Sequence, residues 1–167
     1  KYHPIILGSS IALTIPFAAY LMLTGSMVNN LTLLIVLFFV VAYSLKGLRF
    51  KEVPVLDSIT SSMHFVGPLL YAYSFFEISS QYWLVAVAFF AWGVASQALG
   101  AVQDIIPDRQ ADIKSIATVL GAKLTVRFSL AMYTLAVLLV GWLGGLSLVV
   151  AAAGLAYVVN IIKFVSI

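Results

Sequence analysis

An all-α membrane protein with about six transmembrane helices is the fold this sequence predicts, and three observations predict it. Hydrophobic residues make up 63% of the 167-residue chain and charged residues 9%, against about a quarter charged in an ordinary soluble domain. The mean hydropathy is +1.11. Six apolar runs each approach the roughly 20 residues a helix needs to cross hydrocarbon, and the nine lysines and arginines all fall at the ends of these runs that share one face.

The first run, Ile5–Leu23, is too long for the apolar region of a secretory signal and leads directly into another. Gly25 and Ser26 separate it from the second, Met27–Ser44. A long charged connection, Leu45–Pro54, precedes the third, Val55–Phe76. The short stretch Glu77–Gln81, which carries no positive charge, leads to the fourth, Tyr82–Ala101. A second long charged connection, Val102–Lys123, precedes the fifth run, Leu124–Leu143, and Gly144-Gly145 turns the chain into the sixth, Leu146–Phe164. Lys1, Lys46, Arg49, Lys51, Arg109, Lys114, Lys123, Arg127 and Lys163 then lie on one side. The positive-inside rule makes that side cytoplasmic and returns both termini to it.

No linker, low-complexity tract or internal repeat divides residues 1–167, so a single domain is expected. Its opening Lys1-Tyr2-His3-Pro4 and its end at Ile167, just past a run, suggest a domain cut at both ends. There is no cysteine, which removes disulfides and thiolate chemistry. His3 and His64 are too few imidazoles for structural zinc.

The stretch Asp104-Ile-Ile-Pro-Asp108-Arg-Gln-Ala-Asp112 holds half of the chain's six acidic residues. Carboxylates at every fourth position, if helical, project from one face and can share a divalent cation, although Pro107 introduces a kink or a helix end. Mg²⁺ takes oxygen ligands, typically one or two carboxylates completed by waters and phosphates. Asp104, Asp108 and Asp112 are therefore the candidate metal ligands. The other charged connection offers Lys46, Arg49 and Lys51 as counter-charges for a diphosphate, the arginine as a bidentate fork and the lysines as point charges; Lys114 adds a further cation. Basic residues just inside a membrane ordinarily set topology or touch anionic lipid. An acidic connection and a basic one on the same face is what points to a metal–diphosphate pair instead.

These residues resemble the UbiA superfamily of intramembrane prenyltransferases. Asp104-x-x-x-Asp108-x-x-x-Asp112, continuing as Ile113-Lys114-Ser115-Ile116-Ala117-Thr118-Val119-Leu120-Gly121, is similar to that family's second aspartate motif and the helix start behind it, and Tyr43-Ser44 followed by Arg49 and Lys51 resembles its tyrosine and lysine segment. The stretches from Phe50 to Phe65 and from Trp92 to Gln103 look most like the lycopene elongases of the superfamily. The resemblance implies a nine-helix bundle of which this chain is part. It also implies Mg²⁺, an allylic prenyl diphosphate, with a C5 dimethylallyl group expected, and a lipophilic acceptor, lycopene or another carotenoid, drawn from the bilayer. The family's first aspartate-rich motif has no counterpart here and is expected upstream of Lys1.

Under that resemblance Asp104, Asp108 and Tyr43 form the catalytic set, Lys46, Arg49, Lys51 and Lys114 bind the diphosphate, and His64, Phe65, Tyr71 and Trp92 line the acceptor pocket. Aromatic faces steady an allylic cation, though each ring also has a plain packing role. His64 is either a base that takes the proton released after alkylation or a hydrogen-bonding partner of a neighbouring helix, with the second preferred. Asp57 either orients Arg49 or Lys51 or caps its own helix, the cap being the simpler role. Gln97 and Gln103 suit a pocket or interhelical hydrogen bonds, and Gly141-x-x-x-Gly145 suits a turn.

The rival readings are an aromatic or chlorophyll-type acceptor, a non-catalytic membrane subunit, and a transporter. Transport predicts charges at the bilayer midplane rather than at one face. Nucleic acid is not an expected partner, and no feature of the sequence sets an oligomeric state.

Overall fold

The computed structural model describes residues 3–165, so Lys1 lies outside the described residues. Seven α-helices run in chain order: α1 (His3–Thr24), α2 (Met27–Ser44), α3 (Leu56–Tyr73), α4 (Ser80–Gln103), α5 (Ile105–Gln110), α6 (Ile116–Trp142) and α7 (Ser147–Val165). A single 3₁₀ turn, Phe50–Glu52, lies between α2 and α3, and no strand occurs among the described residues.

Among the described residues four helices are long and apolar enough to cross a membrane: Pro4–Thr24, Met27–Ser44, Ser80–Gln103 and Ile116–Trp142. Ser147–Lys163 is a shorter apolar helix. The third expected span forms as α3 but is more polar than these. Its sequence explains why: Asp57, Ser58, Thr60, Ser61 and Ser62 are all buried between its neighbours. Polar groups at membrane depth are tolerated when they face the bundle interior and find partners there. Ser62 donates to the Phe90 carbonyl of α4 at 2.7 Å, and Ser61 donates to Gln97 Oε1 at 2.9 Å.

Packing is strongest between α4 and α6, then between α3 and α4, α6 and α7, and α2 and α3. Small residues allow these close approaches in the absence of a lipid-phase hydrophobic drive. Ala95, Ala98 and Ala101 of α4 are buried against Val126, Ile116 and Ala117 of α6. At Gly93 a β-carbon would collide with Ser62 of α3. By contrast, none of the apolar window of α1 is buried, as befits a helix apolar all round that faces lipid or further helices.

The second charged connection is shorter than expected. The fifth apolar run begins as helix at Ile116, not Leu124, because Ser115 and Thr118 form a capping box: Ser115 N donates to Thr118 Oγ1 at 2.8 Å and Thr118 N to Ser115 Oγ at 3.3 Å. Gly121, at φ 77° and ψ 164°, then breaks the helix into a first turn and a long second part. Only glycine takes that conformation without a β-carbon penalty.

Candidate active site

The two charged connections meet at one end of the bundle. Tyr43 stands in the last turn of α2. Beyond it the chain folds back on itself, with Arg49 N donating to the Leu45 carbonyl at 2.9 Å, and the 3₁₀ turn that follows carries Lys51 and Glu52 toward α3. On the other side, Asp104 ends α4 and its carbonyl accepts from Asp108 N at 2.8 Å, which sets the two aspartates one turn apart. Pro107 occupies the first turn of α5, where its missing N–H has no intrahelical partner to lose. The proline therefore leaves the Asp104–Asp108 turn intact.

Between these connections lies a hollow of about 200 Å³, with Tyr43 and Lys51 on one wall, Asp104 and Asp108 on the other, and Asp57, Gln97 and Ser115 at its back. Glu52, Ala101 and Ile113 complete it. Four of the chain's six acidic residues thus converge there against one lysine. Two of the four are already engaged: Glu52 pairs with Arg49, and both oxygens of Asp57 accept hydrogen bonds from α3 and α6. The side chains of Asp104 and Asp108 make no hydrogen bond or ion pair among the described residues.

Backbone strain gathers at the same place. The non-glycine residues with positive φ among the described ones are Arg49 (41°), Val55 (72°) and Asp112 (54°), and all three lie in or beside the two charged connections. Such conformations cost of order 1–3 kcal/mol each and cluster at functional sites.

The donor set fits a metal–diphosphate pair better than either alone. No group of three or more His, Asp or Glu side chains among the described residues is arranged to hold a metal ion unaided. Mg²⁺ does not need one, since two carboxylates leave positions for phosphate oxygens and water. A bare diphosphate, conversely, would meet four carboxylates and a single ammonium, a repulsive balance until a divalent cation intervenes.

Other sequence-predicted residues are placed elsewhere. Lys46 and Lys114 are exposed and do not line the hollow, Arg49 is turned to Glu52, and Asp112 sits exposed at its left-handed turn. His64 does reach the site's edge: its ring stands edge-on to Tyr43 at 5.1 Å between centroids. Its Nδ1 lies 3.0 Å from the Thr60 carbonyl in its own helix, so the expected partner on a neighbouring helix is corrected to one within α3. Phe65 is 52% exposed on the outer face. Tyr71 packs edge-on to Phe75, and Trp92 packs on Tyr133 of α6 at 4.6 Å. These three rings are not gathered with His64 into one pocket.

Glu52 and Ser115 are the hollow's residues that sequence reasoning passed over, and Asp57, expected to cap its own helix or to orient Arg49 or Lys51, instead accepts from the first amide of α6 as well as from Ser58. A clue to Asp57 was present: an acid heading the polar run Ser58-x-Thr60-Ser61-Ser62 within a span has to face inward. Glu52 and Ser115 stand in loop and cap positions that give no such clue.

A model of the UbiA prenyltransferase family matches residues 6–166. The chain is 50% identical over 137 residues to a C(50) beta-cyclic carotenoids biosynthesis protein, LbtBC, of Dietzia sp. (strain CQ4), a match covering 81% of this chain and 32% of that protein. It is 42% identical over 164 residues to a lycopene elongase/hydratase of Corynebacterium glutamicum, covering 97% of this chain and 57% of the relative. A lycopene elongase/hydratase of Haloferax volcanii is 34% identical over 99 residues, covering 59% of this chain and 33% of the relative. The chain therefore spans between about a third and somewhat over half the length of these relatives. No solved structure matches it significantly.

Proposed function

Because this chain belongs to the UbiA prenyltransferase family, we propose that it carries the diphosphate-handling half of a multi-pass membrane enzyme that transfers a prenyl group from an allylic diphosphate to a carotenoid-type acceptor. The observation that carries this reading is the hollow shared by Tyr43, Lys51, Asp104 and Asp108. The donor is a C5 dimethylallyl diphosphate, and the acceptor is lycopene, a reading supported by the similarity to lycopene elongase/hydratases. The hollow and both termini of residues 1–167 face the cytoplasm, on the strength of the lysine and arginine distribution.

Asp104 and Asp108 would hold Mg²⁺. Bound there, the ion supplies Lewis-acid stabilisation of the charge that develops on the departing diphosphate. Lys51 adds a direct ammonium contact to the phosphate oxygens; Lys46, Arg49 and Lys114 raise the local positive potential from outside the hollow. As the allylic C–O bond breaks, its electron pair leaves with the diphosphate. The face of Tyr43 steadies the allylic cation that remains. An acceptor alkene donates its π electrons to form the new C–C bond, and the resulting tertiary cation loses a proton or takes up water.

The test is incubation of the full-length protein in lipid with dimethylallyl diphosphate, Mg²⁺ and lycopene. An elongated carotenoid with release of diphosphate is expected. Turnover only with an aromatic or chlorophyll-type acceptor would keep the diphosphate chemistry and replace the acceptor; no turnover with any acceptor would reduce the chain to a non-catalytic subunit.

A further inference from the structure

Asp57 takes no part in the mechanism above, yet it is among the most completely buried polar residues of the bundle, 1% exposed at the back of the hollow. We propose that Asp57 is a positioning residue that holds the Asp104–Asp108 turn in register for the metal by tying the first amide of α6 to α3. The proposal rests on the reading of the hollow as a metal–diphosphate site.

Both oxygens of its carboxylate are engaged within the protein. Oδ1 accepts from Ser58 N at 2.7 Å and from Ser58 Oγ at 3.2 Å, and Oδ2 accepts from Ile116 N at 3.0 Å. Burying a carboxylate is costly unless such bonds replace its water, and these three bonds tie it to α3 and α6. The bond to Ile116 joins residues 59 positions apart. It satisfies one of the four orphan amides at the start of α6, and Ser115 Oγ satisfies another, that of Thr118. A negative charge at that helix end is further favoured by the helix dipole.

The location of the bond decides what it does. The aspartate connection is held at one end by Asp104, at the terminus of α4, and at the other by Ile116. Gly121 disconnects the first turn of α6 from the rigid remainder of that helix, so the long helix does not by itself orient Ile116. Ile116 and Ala117 are buried against Ala98 and Ala101, but apolar packing is non-directional. The charge-assisted bond from Asp57 is the directional contact, and charge-assisted bonds are about twice as strong as neutral ones. Loss of it leaves the connection hinged at Gly121 and lets the Asp104–Asp108 turn shift as a unit relative to Lys51 and Tyr43 across the hollow.

The experiment compares Asp57→Ala and Asp57→Asn in the full-length protein. Mn²⁺ binding in the presence of inorganic pyrophosphate is read by electron paramagnetic resonance, alongside the Mg²⁺ dependence of turnover. Outer-shell partners of metal ligands typically change metal affinity by 10- to 100-fold. Asp57→Ala is expected to weaken Mn²⁺ by about tenfold or more and to raise the Mg²⁺ half-saturation in parallel, with kcat at saturating Mg²⁺ within about threefold of wild type. Asp57→Asn keeps one acceptor oxygen for Ile116 N while its NH2 faces Ser58 N, and it is expected to lose less than the alanine variant in both readouts. Wild-type Mn²⁺ affinity in Asp57→Ala overturns the proposal, as does an Asn variant as weak as the alanine one, which would make the charge itself a partner of the metal. If the alanine variant does not fold, Asp57→Ser, whose hydroxyl is too short to reach Ile116, carries the same comparison. Failure of the wild-type protein to bind Mn²⁺ with pyrophosphate would instead refute the reading of the hollow.

Discussion

Two regions of the bundle invite a ligand, and they differ in kind. Between α4, α6 and α7 lie two cavities of about 590 and 490 Å³, walled by Leu99, Val126 and Ile161 in one and by Phe89, Val137 and Val150 in the other, with Tyr157 common to both. The hollow between the charged connections is only about 200 Å³, yet it collects four carboxylates, a lysine and a tyrosine hydroxyl. The large cavities lie between helices that pack through alanine, and Trp92, expected in the acceptor pocket, lines the second of them. The small one opposes unlike chemistry across two loops strained at Arg49, Val55 and Asp112. Convergence of charge and backbone strain, rather than volume, is the ground on which the small hollow is proposed as the site of the chemistry.

The largest effect separating the two regions should come from the aspartates. Asp104→Ala or Asp108→Ala is expected to lower kcat/KM by at least about a thousandfold, the scale of losing a principal transition-state contact, while far-ultraviolet circular dichroism shows an intact bundle. Asp112→Asn, outside the hollow, should keep activity within about threefold. Equal losses at all three positions would mean that the connection rearranges to bring Asp112 inward.

Next in size is Lys51. Lys51→Met should raise KM for the prenyl diphosphate by about 10- to 100-fold, corresponding to one charge-assisted bond. Initial-rate kinetics on Lys46→Met and Lys114→Met, both exposed, should give changes of about threefold or less.

Packing variants should move stability and leave chemistry alone. Tyr133 is 1% exposed and its hydroxyl lies 2.8 Å from Ser96 Oγ. Tyr133→Phe is expected to cost about 1 kcal/mol in detergent unfolding with activity unchanged. The smallest effect is expected at the large cavities themselves, where Lys123→Gln should alter turnover by less than about twofold.

Much of this was legible in the sequence because two signals are strong in a membrane chain. Long apolar runs give the helices, and charge asymmetry gives the shared face that brings Lys51 to Asp108. The third run illustrates what periodicity does not convey. Its serines and Asp57 look like interruptions of a span but are the inward face of α3, and their partners, Gln97, Phe90 and Ile116, come from helices far along the chain. The cap at Ser115 escaped notice because threonine, not glutamate, closes its box. Nothing in the sequence says which of the four cations of the diphosphate set lines the hollow. Only the fold of residues 45–52 separates Lys51 from Arg49, whose left-handed backbone directs it to Glu52. Of the four aromatic and imidazole residues assigned to an acceptor pocket, His64 alone touches a residue of the hollow, since spacing along one helix does not say which neighbour a ring will meet.

The claim beneath all of this is that the α2–α3 and α4–α6 connections act as one site. A double-mutant cycle on Lys51→Ala and Asp108→Ala, reading the joint affinity of the full-length protein for Mn²⁺ and dimethylallyl thiolodiphosphate, tests it most directly. Residues sharing a ligand are energetically coupled, so the combined loss should fall short of the product of the single losses by about fivefold or more. Losses that multiply without coupling would place the lysine and the aspartate in separate sites and contradict the account.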